Sequence, residues 1–256
     1  MKRALLSRWS RLVFSCLWFA MCAVGAGSVS AADRIRIGAE DDWRPYSYVA
    51  EGKPVGFAVD LARAAWAAAG VEVELVPLPY ARCMREVDNG TLAGCFDTLR
   101  DARTEDKYFW HKRPLFKARI AIYGRVQGAV ANRVGPADLL GRRIGVTNGY
   151  DYGEAFDNDT RMVRDVAPSD LISLRKLVAG RVDYALVYDR VAQEIARVHP
   201  ELGQGFVQRG VLVEPLLYLS FTKRQPGMKT LIARFDAGLD SIHKSGEYAR
   251  IEARWR

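Results

Sequence analysis

Alternating and amphipathic stretches follow one another along residues 34–97 and predict strands and helices in turn. RIRIGAE (34–40) and VEVELVPL (71–78) alternate apolar and polar positions as strands do, and TLAGCFD (91–97) is predicted as a third strand. Between them, LARAAWAAAG (61–70) and ARCMREVDNG (81–90) have helical spacing and end on glycine, a common helix stop. The alternation of strand and helix predicts parallel βαβ units.

The same rhythm restarts in the second half of the chain. PADLLGRRIGVTNG (136–149) predicts a helical turn, a break at Gly141 and a strand. SDLISLRKLVAGRVDYALVYD (169–189) predicts a helix capped by Ser169, followed by a strand with one half-buried face. These elements predict a second α/β unit.

Extended apolar segments flank this second unit and connect it with the first. They are KARIAIYGRV (117–126) and VLVEPLLYLSFTKR (211–224), and the chain from Met228 to Arg256 is predicted to be helical. We therefore expect two α/β lobes joined by two crossing strands, with the tail returning to the first lobe. The expected limits are 33–122 and 215–256 for lobe 1 and 123–214 for lobe 2.

The N-terminal 32 residues have the pattern of a cleaved secretory signal peptide. Four basic residues precede the apolar stretch LVFSCLWFAMCAVGAG, and SVSAA offers small residues for cleavage. An uncleaved N-terminal helix is the alternative. We expect an exported, free soluble protein, and no later stretch of about twenty apolar residues suggests another membrane span.

Removal of this segment changes the charge of the chain. The formal charge of +8 falls to +4, because 38 Lys and Arg become 34 against 30 Asp and Glu. These charges are interspersed, and neither a basic run nor a nucleic-acid motif is present. We therefore expect no nucleic-acid partner, and we expect a monomer.

Two cysteines, Cys83 and Cys95, remain in the mature chain. An even pair in an exported protein indicates a disulfide, with two buried free thiols as the alternative. The spacing of cysteines and histidines offers no tight metal-ligand set, so we expect neither a metal nor another cofactor.

Several landmarks in order along residues 34–256 resemble the extracellular solute-binding proteins of family 3, the periplasmic amino-acid receptors of ABC importers. Each landmark is weak alone, but their order and spacing are specific. They are Trp43-Arg44-Pro45-Tyr46, Gly56 to Leu61, Arg103 six residues before Phe109, Leu140 to Val146, Gly180 to Asp183 followed by Asp189, and Gly246-Glu247-Tyr248. The resemblance implies a type II periplasmic binding protein with its ligand cleft between two lobes.

The resemblance also implies the charged ligand contacts. Arg103 has the spacing of the arginine that clamps the ligand carboxylate, whereas Arg100 does not. A guanidinium can donate two parallel hydrogen bonds to a carboxylate, although a salt bridge to a neighbouring acid is the alternative. Asp189 matches the carboxylate that binds the ligand ammonium, with pairing to Arg190 as the alternative. Glu40 matches a position that is often acidic and touches that ammonium.

Uncharged contacts follow from the same resemblance. Thr98 matches a position whose hydroxyl donates a hydrogen bond to the ligand carboxylate. The alternative is a turn hydroxyl without ligand contact. Trp43 and Tyr80 match aromatic positions that enclose the ligand side chain, although aromatic residues are more often core.

Two stretches depart from the family pattern and bear on the choice of ligand. Asn148-Gly149-Tyr150-Asp151-Tyr152 stands where a loop rich in Gly and Ser or Thr is usual, and Asp97 replaces a small residue. We expect Asp97, Asn148, Tyr150 and Asp151 to line the ligand site. Asp97 and Asp151 disfavour a ligand with a second carboxylate and favour a cationic or polar one, unless they face solvent.

The resemblance implies a binding protein that closes on a small amino-acid-like solute and docks on the membrane permease of an ABC importer, without catalysis. One alternative is an enzyme on the same fold, since relatives dehydrate prephenate or arogenate. A second alternative is a ligand sensor that hands its closed form to a membrane receptor.

Overall fold

The structure, a computed structural model, describes residues 35–127 and 133–255. The predicted signal peptide, residues 1–32, lies outside the described residues. The strands in chain order are β1 (Ile35–Glu40), β2 (Asp42–Trp43), β3 (Ser47–Ala50), β4 (Lys53–Val55), β5 (Val73–Leu78), β6 (Gly94–Leu99), β7 (Phe109–Trp110), β8 (Phe116–Lys117), β9 (Ile120–Arg125), β10 (Arg143–Thr147), β11 (Val163–Ala167), β12 (Tyr184–Tyr188), β13 (Phe206–Val213) and β14 (Leu216–Phe221).

Helices alternate with these strands in both halves of the chain. They are α1 (Phe57–Ala68), α2 (Tyr80–Asn89), α3 (Glu154–Asp157), α4 (Asp170–Val178), α5 (Asp189–Val198), α6 (Pro200–Gly203), α7 (Met228–Lys244) and α8 (Glu247–Arg254), with a 3-10 turn at Pro136–Leu139. The α/β class predicted from the sequence is confirmed.

Two mixed sheets organise these elements. The first has the order β5-β1-β6-β14-β7, with β8 also paired to β14, and its strands β5, β1 and β6 are parallel. The second has the order β11-β10-β12-β9-β13, with β11, β10 and β12 parallel. Strands β2, β3 and β4 form a small separate sheet. Each large sheet is therefore built from the parallel βαβ units that the alternation predicted.

The chain passes twice between the two large sheets. Strand β8 is followed by β9 in the second sheet, and β13 is followed by β14 in the first. Glu214 lies between β13 and β14, where it accepts a hydrogen bond from Arg119 Nε at 2.8 Å and pairs with Lys117. The two crossings are therefore tied side by side by charge. The lobe limits given above stay a prediction.

The C-terminal helices pack against α1, beside the first sheet. Gly238 of α7 allows the close approach, because a Cβ atom there would lie 2.0 Å from the Ala65 carbonyl oxygen. The predicted helical tail is divided at Gly246, which has a φ of 75°. No helix within the described residues is both long and apolar enough to span a bilayer.

Three elements differ from the predicted pattern. Helix α1 begins at Phe57 rather than Leu61, directly after Gly56, whose φ is 134° and whose Cβ would lie 2.2 Å from the Tyr46 carbonyl oxygen. Strand β6 extends to Leu99, so that Asp97 lies within the strand. The predicted half-buried face of residues 182–188 is wrong, because β12 lies between two neighbouring strands and is buried at every position.

The predicted disulfide between Cys83 and Cys95 is present and joins α2 to β6. The Cα atoms of the pair are 6.0 Å apart. It packs against β1 at Gly38, where a Cβ atom would lie 2.1 Å from the Cys83 sulfur. The bond therefore joins α2 to the start of β6 and packs against β1 two residues before that strand ends at Glu40.

Candidate functional site

The carboxyl ends of parallel strands from both sheets meet across one cleft. Glu40 ends β1 and Tyr188 ends β12, while Tyr150 and Asp151 follow β10. Binding sites of open α/β sheets lie at this end of the strands. This cleft is therefore the candidate ligand site.

Eight residues line the cleft, and six of them were predicted from the sequence. The centre of a water molecule could move within about 10 Å³ of the space that they enclose, which is roughly room for one water molecule. A larger solute therefore enters only when the two sides move apart. The lining residues are Glu40, Trp43, Tyr80, Asp97, Leu99, Tyr150, Asp151 and Tyr188.

Glu40 is buried at the end of β1 and reaches across the cleft. It is 6% exposed, and its carboxylate accepts a hydrogen bond from the Tyr150 hydroxyl. Burial raises the pKa of Glu40 well above its usual value, the Tyr150 hydrogen bond opposes this rise, and the nearby Asp170 and Asp97 add to it. Glu40 thus connects the first sheet to the loop after β10 through one polar contact.

Asp97 is the second buried carboxylate of the cleft. It is 6% exposed, and neither of its oxygens has a hydrogen-bond partner among the described residues. Burial raises the pKa of Asp97 well above its usual value. Its φ of 70° lies in the left-handed region, which Asp and Asn enter more readily than most residues. We refer to Glu40 and Asp97 as the floor of the cleft.

Aromatic rings surround the floor. Trp43 stacks on Tyr46 at 4.3 Å between ring centroids and meets the edge of Tyr188 at 4.9 Å. Tyr80 and Tyr150 make an edge-to-face contact at 5.6 Å. Such rings combine a large apolar area with negatively polarised faces, so the cleft suits the apolar body of a solute as well as a cation.

Arg103 holds three carboxylates at the more exposed margin of the cleft. Its Nη2 atom lies 2.6 Å from Asp151, 2.9 Å from Asp157 and 3.1 Å from Asp101. Asp151 and Asp157 follow β10 of the second sheet, whereas Arg103 and Asp101 follow β6 of the first. We refer to these four residues as the rim. The rim therefore joins the two sides of the cleft by ion pairs.

Arg100 and Thr98 are not among the residues that line the cleft. Arg100 forms two hydrogen bonds with Glu105, at 2.6 and 2.7 Å, within its own loop. Thr98 is buried, with its hydroxyl 3.0 Å from the Ser220 hydroxyl and within reach of Tyr80. Thr98 thus lies one layer behind the lining residue Tyr80.

Asp189 and Asn148 also lie outside the lining of the cleft. Asp189 begins α5, accepts a hydrogen bond from the Arg190 backbone N–H at 2.7 Å and lies 3.7 Å from the Arg119 guanidinium. Asn148 is exposed, and its backbone N–H donates to the Ala167 carbonyl. Ligand contact stays a prediction for every candidate residue, and Arg103, Thr98, Asp189 and Asn148 are in addition outside the lining of the cleft.

Sequence reasoning missed Leu99 and Tyr188 in the lining of the cleft and Asp170 near its floor. Tyr188 looked like an ordinary core residue of a strand, although its place at the carboxyl end of a parallel strand could have marked it. Asp170 follows the helix cap Ser169, where an acid is common and carries no functional signal. Asp170 accepts a hydrogen bond from the Thr147 hydroxyl at 2.5 Å, and burial raises its pKa to about 7.

Comparisons with known proteins agree with this geometry. The sequence profile of the bacterial extracellular solute-binding proteins, family 3, matches residues 35–256. The chain is 23% identical over 259 residues to the arginine-binding extracellular protein ArtP of Bacillus subtilis strain 168, covering 95% of each chain. The resemblance inferred from the landmarks is confirmed.

Solved structures share the fold. A histidine kinase sensor domain with similarity to periplasmic binding proteins has a TM-score of 0.77 and 23% identity, over 87% of this chain and 96% of its own. The arginine-, lysine-, histidine-binding protein ArtJ of Geobacillus stearothermophilus has a TM-score of 0.73 and 23% identity, over 87% of this chain and 94% of its own. The predicted two-lobed, type II periplasmic binding protein fold is confirmed.

Proposed function

Because the chain belongs to the bacterial extracellular solute-binding proteins of family 3, we propose that it captures a small amino-acid-like solute between its lobes and delivers it to an ABC importer. The observation that carries this proposal is Asp97, a buried carboxylate without a partner among the described residues that lines the cleft. Burying an unpaired charge is costly, and a cationic group of a solute would offset that cost.

Capture proceeds by hinge closure about the two crossings. The cleft has room for about one water molecule, so solute entry requires the sides to separate. The side chains that must part are the Glu40–Tyr150 pair and the rim contacts of Arg103. The crossings stay together through Glu214 and its basic partners while the lobes move.

The predicted charged contacts differ in which existing ion pairs must break before they can bind a solute. A solute carboxylate binds Arg103 only if it displaces Asp151 or Asp157, which hold that guanidinium in the closed form. Asp189 would have to leave Arg119 to meet a solute ammonium. Glu40 and Asp97 already line the cleft and need no such exchange.

The named relatives support the choice of solute. One carries the name of an arginine-binding protein and another that of an arginine-, lysine-, histidine-binding protein, and both names describe binding rather than catalysis. We propose that this chain likewise acts by binding, as a monomer in the periplasm after cleavage of residues 1–32. Its partner is the membrane permease of the importer.

Native mass spectrometry of the protein purified from periplasm tests the proposal. We expect a bound amine of low mass that is released on unfolding, and a mature chain that begins near residue 33. Deleting the gene should abolish uptake of that solute and leave uptake of other solutes unchanged. A protein that carries no solute and turns over prephenate would instead establish the enzyme alternative.

A further inference from the structure

The floor of the cleft presents one carboxylate that the fold itself does not use. Asp97 is 6% exposed, and neither oxygen finds a donor among the described residues. Its left-handed backbone, with a φ of 70°, is a conformation that most side chains avoid. A buried acid without a structural partner is destabilising, and its position in the cleft lining points to a ligand.

The surroundings of Asp97 are suited to an organic cation. The other lining residues are a second acid on the floor, a rim acid, Leu99 and four aromatic residues, and none of them is basic. Aromatic faces attract ammonium and guanidinium groups within about 6 Å of the ring. Carboxylates and aromatic faces together therefore favour a positively charged group and disfavour an anionic one.

The groups expected to hold a ligand carboxylate are already occupied. Arg103 contacts Asp101, Asp151 and Asp157, so three negative charges surround one guanidinium. Asp151 also lines the cleft, where it would repel an arriving carboxylate. The closed cleft thus offers acids and aromatic rings to the cationic part of a ligand, while no basic residue is among its described lining residues.

Building on the proposed function, we infer that the solute of this cleft is an organic cation whose charged nitrogen binds Asp97 among the aromatic rings, and that a carboxylate on the solute is not required. The class includes amines and guanidino compounds. It extends beyond amino acids, because recognition of the cation alone would suffice.

Isothermal titration calorimetry with three matched compounds tests this inference. Agmatine has the guanidinium and chain of arginine without the carboxylate, and citrulline keeps the carboxylate and the α-ammonium but replaces the guanidinium with a neutral urea. We expect agmatine to bind at least as tightly as arginine, and citrulline roughly 100-fold more weakly than arginine.

Three outcomes would overturn the inference while leaving the proposed function in place. Binding of arginine without binding of agmatine would show that the ligand carboxylate is required. Equal affinity of the unaltered protein and Asp97→Asn for agmatine would show that the charged nitrogen does not bind Asp97. A neutral or anionic co-purified solute, together with no binding of agmatine, would also refute the inference.

The variant Asp97→Asn separates a ligand contact from a structural role. Asn has the same shape and also adopts the left-handed conformation. We expect agmatine affinity to fall roughly 100-fold, while the melting temperature of the unliganded protein at pH 8 rises, since an unpaired buried charge has been removed.

The control is Asp106→Asn, which removes the same charge from an exposed position in the loop after β6. It should leave agmatine affinity within about twofold of the unaltered protein, because solvent screens exposed charges. A lower melting temperature for Asp97→Asn with unchanged agmatine affinity would make Asp97 a structural residue and overturn the inference.

Discussion

At the floor of the cleft, Glu40 and Asp97 face tyrosine and tryptophan side chains, whereas at its rim three carboxylates share the guanidinium of Arg103. The floor is almost fully buried, and the Arg103 side chain is 38% exposed. The three rim carboxylates are 11%, 18% and 10% exposed, so solvent reaches the rim ion pairs mainly through Arg103 and weakens them more than it would at the floor. Opposite charges attract more strongly at the buried floor than at the rim, so a ligand cation gains the most binding free energy at the floor.

This contrast gives the two regions separate tasks. The rim holds the two sides of the cleft against each other in the closed form, through contacts that can exchange with solvent. The floor holds uncompensated acids, which favour a bound cation. The proposed cycle of opening, capture and closure therefore needs rim contacts that break and reform and a floor whose position does not change.

The largest expected effect tests how firmly the floor is held. Reduction of the Cys83–Cys95 bond, or the double variant Cys83→Ser with Cys95→Ser, should lower the free energy of unfolding by about 3 kcal/mol, because a loop constraint is removed from the unfolded chain. Urea unfolding of the oxidised and reduced protein measures this change.

The order of preference among agmatine, arginine and citrulline should survive reduction, since the rim and the cleft acids are unchanged. An identical unfolding midpoint in the presence and absence of reductant would show that the disulfide does not stabilise the floor.

An effect of intermediate size comes from Asp170, within electrostatic reach of Glu40. Burial raises the pKa of Asp170 to about 7, so the unfolded chain releases this proton at a lower pH than the folded one. The stabilisation is complete below the unfolded pKa of 3.8 and is lost as the pH rises towards 7. The free energy of unfolding should fall by about 2 kcal/mol between pH 5 and pH 8.

Chemical unfolding at several pH values, with and without the change Asp170→Asn, isolates this contribution. The amide keeps an acceptor for the Thr147 hydroxyl and cannot ionise, so the variant should show a flatter pH profile. Glu40 and Asp97 shift in the same direction and leave a residual slope. Parallel profiles for the two proteins would contradict a raised pKa at Asp170.

The smallest expected effect concerns the rim. Arg103→Ala leaves Asp151 and Asp157 of one side without their cation from the other. We expect the free energy of unfolding to fall by about 1 kcal/mol, since the guanidinium is partly exposed and solvent screens its ion pairs. Small-angle X-ray scattering should show a larger radius of gyration for the unliganded variant, because the sides separate more often.

The matched control for the rim is Arg100→Ala, which breaks contacts only with Glu105 in the same loop. Its scattering should equal that of the unaltered protein. Equal scattering from both variants would mean that the rim does not hold the two sides of the cleft together.

Local pattern was sufficient for much of the fold. The alternation in RIRIGAE and the glycine-ended helices predicted β1, α2 and the βαβ order, because side-chain period and glycine stops are local properties. The start of α1 was missed because it depends on Gly56. A side chain there would clash with the Tyr46 carbonyl, and that contact joins residues ten apart along the chain.

The candidate site was predicted more from the family resemblance than from sequence pattern, and the prediction covered only part of the lining. Trp43, Tyr80 and Glu40, which the resemblance predicts as ligand contacts, line the cleft, and so do Asp97, Tyr150 and Asp151, which were expected there because they depart from the family. Tyr188 was missed, since an aromatic in a buried strand looks the same in sequence whether it faces a core or a cleft.

By itself the sequence determined the α/β class, the family and the acidic character of the cleft, since these depend on residue type, period and order along the chain. Only the tertiary structure decided which charges find partners. Arg103 and Asp157 are 54 residues apart in sequence and 2.9 Å apart in space, and Asp97 ends without a partner among the described residues. Charge pairing depends on distances across the cleft, which no local pattern contains.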